Sequence, residues 1–288
     1  MKRKAVLVVS VMAVALVLAS GAAPAATLTV NDGTLAIVDT QAEENHITGK
    51  VGDGVLTITD EVPLRTSNLP RSCKKVSSNT VQCGAQNIER LKIHLGDGDD
   101  EVDLRRVGTR IPATVYGEMG NDLIDPTGTD DRIYGGSGMD VMYGGVGRGD
   151  DSLSGGPDDD SLSAERGGDA VSGGDGFDFI FGGAGTDALT GDNGNDYVFG
   201  EEDKDSIVGG LGTDNVYGGS GSDTLSGNGG NDDIEGGAGE DAVSGNAGYD
   251  RLYLKDGQRD TGSCGEGRDE TSVDPQDVVS DSCETVSR

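Results

Sequence analysis

The chain predicts an all-β solenoid, and three observations carry that prediction. Every ninth residue from Asp151 to Asp250 is aspartate. Two positions after each stands an aliphatic side chain, and the column extends N-terminally: Ile124, Ile133, Met142, Leu153, Leu162, Val171, Ile180, Leu189, Val198, Ile207, Val216, Leu225, Ile234, Val243 and Leu252. Glycine-rich stretches fill the intervals. A period of nine with a glycine-rich turn describes stacked units, each burying its apolar residue only against its neighbours.

The elements follow in chain order. Residues 1–25 read as an export signal, with basic Lys2, Arg3 and Lys4, an apolar run from Ala5 to Ala19, and small residues around Pro24. The run is short for a membrane span and suits a cleaved signal core, so a secreted, extracellular mature chain is expected. Residues 26–95 lack the repeat and form an N-terminal β-rich segment. Its strand compositions are Thr27 to Val30, Leu35 to Val38, Val55 to Thr59 and Leu91 to Leu95, with Asn31-Asp32-Gly33 and Asp53-Gly54 as turns. Residues 96–253 hold the repeats; Gly96 to Val102 already looks like a repeat turn, and 101–116 reads as an irregular coil leading in. Residues 254–288 echo the register weakly and suit a C-terminal cap.

The unit is clearest in Gly209-Gly210-Leu211-Gly212-Thr213-Asp214-Asn215-Val216-Tyr217. Six residues would form the turn and three a short strand, whose middle side chain points inward. Tight winding demands positive φ, which a Cβ penalises. Successive turn carbonyls together with a carboxylate offer an all-oxygen cage, suited to a hard cation of Ca²⁺ size.

This pattern resembles the RTX family of hemolysin-type calcium-binding repeats, Gly-Gly-x-Gly-x-Asp-x-aliphatic-x. Full matches begin at Gly135, Gly173, Gly182, Gly209, Gly218 and Gly236; those at Gly117, Gly191, Gly227 and Gly245 lack only the second glycine. The resemblance spans 117–253 and implies a parallel β-roll, two repeats per coil, with multiple Ca²⁺ ions held between turns stacked on one edge. The expected carboxylate ligands are Asp140, Asp178, Asp187, Asp196, Asp214, Asp223, Asp232, Asp241 and Asp250. Backbone carbonyls, including those of Gly176, Gly185, Gly212, Gly221 and Gly239, would supply much of the remaining shell. Departures put metal in doubt at some turns: Thr129, Asp158 and Asp203 replace the third glycine, Pro126 and Ala164 the first, and 144–151 carries two extra residues.

Composition narrows the function. The formal net charge is −30, which argues against non-specific nucleic-acid binding. The acids are periodic rather than in blocks, so ligation explains them better than a solvated tail. One aliphatic residue per nine makes a thin core for a glycine-rich chain, and carboxylates stacked a strand spacing apart repel, so folding is expected to require the cation. Four cysteines in an exported chain read as two disulfides, and among three possible pairings the sequence-local Cys73–Cys83 and Cys264–Cys283 is preferred.

Catalysis is poorly supported. Only His46 and His94 occur, neither in His-Glu-x-x-His, and there is no Gly-x-Ser-x-Gly. An enzyme housed in 26–95 stays an alternative without a constellation of its own. Arg148-Gly149-Asp150, in the inserted segment, is expected by chance in such a composition. The outward residue ending alternate repeats reads Asp125, Tyr143, Ser163, Phe181, Phe199, Tyr217, Glu235 and Tyr253, whereas the intervening repeats give mostly serine and threonine. If two repeats make a coil, one face carries an aromatic stripe. Phe181, Phe199 and Tyr217 then either stabilise neighbouring strands or form an interface for self-association or a surface ligand. The second case is the alternative reading of an adhesin or matrix protein rigidified by calcium.

Overall fold

A computed structural model describes residues 26–39, 44–60, 65–66, 69–280 and 282–287. The export signal expected at 1–25 lies outside the described residues. The architecture is a parallel β-solenoid with two sheets. Among the described residues one has 14 strands and the other 15, and from Arg90–Asp97 onward consecutive strands go to alternate sheets. No described helix is long and apolar enough to cross a membrane.

Two repeats make one coil. In the second sheet Val198 lies beside Val216, and in the first Leu189 lies beside Ile207, each 18 residues on. At the insertion the step grows to 20 residues, pairing Ile133 with Leu153 and Met142 with Leu162, and the stack absorbs the extra residues in the turn. The whole aliphatic column is buried between the sheets, from Ile124 to Leu252. Alternation along each strand drives this, because residues two apart share a face.

The strands are longer than the three residues expected. Asn215–Ser220 spans six, because the first residues of the following glycine turn stay extended and pair with the next coil. Three-residue strands occur at Leu123–Asp125, Val141–Tyr143, Ser161–Ser163 and Arg251–Tyr253. Each precedes a turn that departs from the repeat, through Pro126, the insertion after Gly144, Ala164 or Leu254, whereas a single glycine is enough for pairing to continue, as in Tyr197–Glu202 and Thr224–Gly229. After Leu123–Asp125 the chain meets Pro126, which has no N–H to donate.

The ends are built differently. Thr27–Asn31 folds back on Thr34–Val38, and His46–Gly52 on Val55–Thr59, both antiparallel. Asp32 and Gly33 (φ 46° and 77°) and Asp53 and Gly54 (φ 53° and 73°) adopt the positive φ values that two-residue hairpins require. Thr34–Val38 then pairs parallel with Arg90–Asp97, and His46–Gly52 with Glu101–Arg106, so both sheets run into residues 26–95 without a break. The irregular coil leading in at 101–116 consists of two strands, Glu101–Arg106 and Ala113–Met119, with a register shift opposite Thr48 to Lys50 and a step from Glu101 to Leu123 longer than that of the repeats. Val102, Leu104 and Val115 occupy inward positions there, which the glycine pattern does not mark. The disulfides are Cys73–Cys83, across an antiparallel pair, and Cys264–Cys283.

The two outer faces differ as alternation requires. On the second sheet Phe181, Phe199 and Tyr217 stack at centroid distances of 5.0 and 4.8 Å, and Phe179 stacks on Tyr197 at 5.2 Å. The first sheet is small and polar only beyond Tyr134. At its N-terminal end His94, Tyr116 and Tyr134 form a second stack, at 4.5 and 5.0 Å.

Candidate calcium centre

Each repeat aspartate precedes its inward aliphatic residue by two, so alternation turns its carboxylate inward as well. All nine expected ligands are buried, Asp178, Asp196 and Asp214 completely. Each carboxylate has one satisfied oxygen. The Asp196 N–H donates to Oδ1 of Asp214, and the Asp214 N–H to Oδ1 of Asp232, both at 2.9 Å. The Asp205 N–H donates to Oδ1 of Asp223, and the Asp223 N–H to Oδ1 of Asp241, both at 2.8 Å. The stack thus carries two carboxylate ladders, one along each edge where the chain crosses between sheets. The other oxygen, Oδ2, has no hydrogen-bond partner in Asp140, Asp178, Asp187, Asp196, Asp214, Asp223, Asp232, Asp241 or Asp250.

Glycine is required at these turns by close approach. A Cβ on Gly209 would lie 2.6 Å from the Asp214 Oδ2 and one on Gly236 2.6 Å from the Asp241 Oδ2, so the first glycine makes room for the carboxylate of its own turn. The glycine two places before each aspartate has strongly positive φ, 133° at Gly212 and 154° at Gly239. A Cβ on Gly212 would strike the Gly194 carbonyl oxygen of the preceding coil, and one on Gly239 that of Gly221. The carbonyls of Gly176, Gly212 and Gly221 likewise face the next coil, towards Gly194, Gly230 and Gly239. Gly185 occupies the same place over Gly167.

Burial makes charge expensive here. Desolvation raises Asp196 and Asp232 to about 7 and Asp140, Asp178 and Asp241 to about 6, against 3.8 normally. Asp187, Asp214, Asp223 and Asp250 are raised by the same cause. A buried carboxylate with a bare oxygen must either take a proton or face a cation. Among the described residues no three acidic, histidine or cysteine side chains converge on one point. Any ion at these turns would therefore take much of its shell from backbone oxygen, a donor set that fits Ca²⁺ and suits softer metals poorly.

Further aspartates share the arrangement. Oδ2 is equally bare in Asp100, Asp122, Asp160, Asp169, Asp205, Asp260 and Asp269. Asp260 and Asp269 continue the ladders past the repeats, accepting the N–H of Asp241 and of Asp250. They stand 19 residues on rather than 18, which a strict period of nine steps over. Asp131 is the contrasting case. Its two oxygens accept the Thr127 hydroxyl at 2.9 and 2.8 Å, and Oδ1 also accepts the Thr129 hydroxyl at 3.3 Å. Arg148-Gly149-Asp150 does not protrude: Gly149 is buried, and Oδ1 of Asp150 accepts the Gly168 N–H of the next coil.

No curated protein matches the chain. A family model, the RTX calcium-binding nonapeptide repeat, matches at residues 116–148, 146–180, 164–198, 181–216 and 217–252. Both ladders run through the matched stretch and continue past its C-terminal end. Residues 116–252 carry RTX calcium-binding nonapeptide repeats.

Proposed function

We propose that the protein is a secreted, non-enzymatic calcium-binding solenoid that folds when Ca²⁺ binds in the extracellular medium. The single observation that carries this reading is the run of buried aspartates with one satisfied and one bare oxygen. Bound Ca²⁺ supplies the positive charge that lets these carboxylates stay ionised in the interior. The chain's own part is to line up the carboxylates of Asp140, Asp178, Asp187, Asp196, Asp214, Asp223, Asp232, Asp241 and Asp250 with turn carbonyls such as those of Gly176, Gly185, Gly212, Gly221 and Gly239. Residues 26–95 and 254–288 serve as end caps to the roll of 96–253, each with one disulfide. Extracellular calcium, at the millimolar affinity of extracellular modules, suits such a device, and the disulfides are consistent with an oxidising compartment.

Small-angle scattering and circular dichroism during Ca²⁺ titration test this reading. An expanded chain in EGTA and a compact β-structure in millimolar Ca²⁺ are expected. Equal compactness in both would refute calcium-dependent folding.

A second reading is an adhesin whose aromatic face binds a surface or glycan while calcium only rigidifies the scaffold. It is favoured by the exposure of Phe177 and Phe179 beside the stacked Phe181, Phe199 and Tyr217. Loss of cell or glycan binding in the Phe181→Ser, Phe199→Ser double variant, with folding retained, would support it.

A further inference from the structure

Four of the turns that depart from the glycine pattern are stacked together. Turns leaving the first sheet keep the ladder unbroken from Asp100 to Asp269. On the opposite edge the aspartate ladder also continues, but the four consecutive turns 107–112, 126–131, 144–151 and 164–169 depart from the glycine repeat. They bring Arg110, Arg132, Arg148 and Arg166 to one side of the molecule, with Arg90 adjoining. These arginines are exposed, and none makes an ion pair among the described residues. By contrast, Arg105 pairs with Asp103 and Asp125, and Arg251 with Asp233. A chain of net charge −30 has no shortage of carboxylates to pair them. Here they line two cavities of ≈ 400 and ≈ 570 Å³ that share Thr109, Thr129 and Asp130 and therefore form one groove.

We infer that this arginine edge binds a linear acidic polysaccharide, a chain of uronic-acid sugars laid along the solenoid axis. Coils repeat about every 4.8 Å, so the four turns span the length of a short oligosaccharide and offer guanidinium groups along it. Guanidinium matches carboxylate through paired N–H donors. The rest of the lining distinguishes a sugar acid from other polyanions. Thr109 and Thr129 offer hydroxyls, and Asp130, whose Oδ1 already accepts the Asp150 N–H at 3.2 Å, offers a carboxylate. That carboxylate would accept from sugar hydroxyls and repel a dense phosphate chain. The groove has no aromatic lining, which single-stranded nucleic acid would need for base stacking.

The test uses the full chain folded in Ca²⁺ and trigalacturonate as probe, with maltotriose, polyphosphate and single-stranded DNA in parallel. Trigalacturonate is expected to bind and maltotriose not. The triple variant Arg110→Ala, Arg148→Ala, Arg166→Ala should weaken trigalacturonate binding roughly tenfold or more, having lost three charge-assisted contacts. Calcium bridging between acidic turns and the uronate would leave the variant's affinity unchanged, which would overturn the inference. So would equal binding of the neutral trimer, or binding of DNA or polyphosphate as tight as that of the uronate. Circular dichroism in Ca²⁺ is recorded on both chains beforehand. A failure of calcium folding, which would sink the proposed function, is then read separately from a loss of uronate binding.

Discussion

A ladder aspartate has two oxygens with separate duties, and substitutions can separate them. In Asp214, Oδ1 holds the Asp196 N–H and Oδ2 is bare. Asp214→Ala removes both, leaving a buried N–H unsatisfied at about 1–3 kcal/mol. Asp214→Asn keeps an acceptor for that N–H and removes only the charge. Both variants, and Asp223→Ala, are expected to lose bound calcium and raise the Ca²⁺ midpoint, with Asp214→Asn the less destabilised. Asp131→Ala should leave bound calcium nearly unchanged, because Thr127 and Thr129 already serve that carboxylate. Calorimetry with a count of bound calcium checks this; equal losses in all the variants would mean that hydroxyl donors do not replace the metal. Gly212→Ala is the sharper lesion. Its φ of 133° and the Gly194 carbonyl oxygen leave no space for a methyl group, so compaction should fail at Ca²⁺ levels that fold the wild type.

Strand and turn form one cooperative element, since in the repeats pairing passes the corner where the turn opens with a glycine and keeps its six-residue length. The aromatic stripe belongs to this scale too. Phe181, Phe199 and Tyr217 sit on neighbouring strands in direct register, with rings tilted by only 6° and 4°. Replacing all three with serine leaves turns and inward residues untouched. A purely stabilising ladder is worth about 0.2–1 kcal/mol per cross-strand pair, so a lower melting temperature with unchanged sedimentation is expected. Loss of self-association at unchanged stability would instead identify an interface. Strand composition and inward alternation reveal that the stripe exists, whereas the His94, Tyr116 and Tyr134 stack is hidden because its first members precede the repeat.

The whole molecule stacks like charges, and pH should act on it through every coil at once. Desolvation raises the ladder carboxylates of the calcium-free fold from 3.8 to about 7 at Asp196 and Asp232. Their folded pKa exceeds the unfolded value, so the folded chain binds more protons. Stability from these groups is present below about pH 4 and falls as pH rises towards 7. Without calcium the solenoid is therefore expected to be compact at pH 4 and expanded at pH 8; Ca²⁺ should restore compactness at pH 8. Scattering across this pH range in EGTA and in Ca²⁺ reads the result, and a calcium-free chain more compact at pH 8 than at pH 4 would contradict it. Net charge, a whole-chain quantity, conceals the arginine edge, which arises only when four separate turns are brought onto one side.

The sequence by itself determined the solenoid, the inward aliphatic column, the aspartate positions and the family. Each is a property of a short repeating unit, and a backbone that alternates every two residues must place identical units identically. Only the tertiary structure decided what depends on stacking across coils. That includes the pairing of each aspartate with the N–H of the preceding coil, the bare Oδ2, and the carbonyl that forbids a Cβ on Gly212. It also includes the extension of both ladders to Asp260 and Asp269 and of both sheets into the antiparallel end hairpins. Outside the repeats the step between neighbours departs from 18 residues, and loops take up the difference. There, register is set by contact between coils rather than by period.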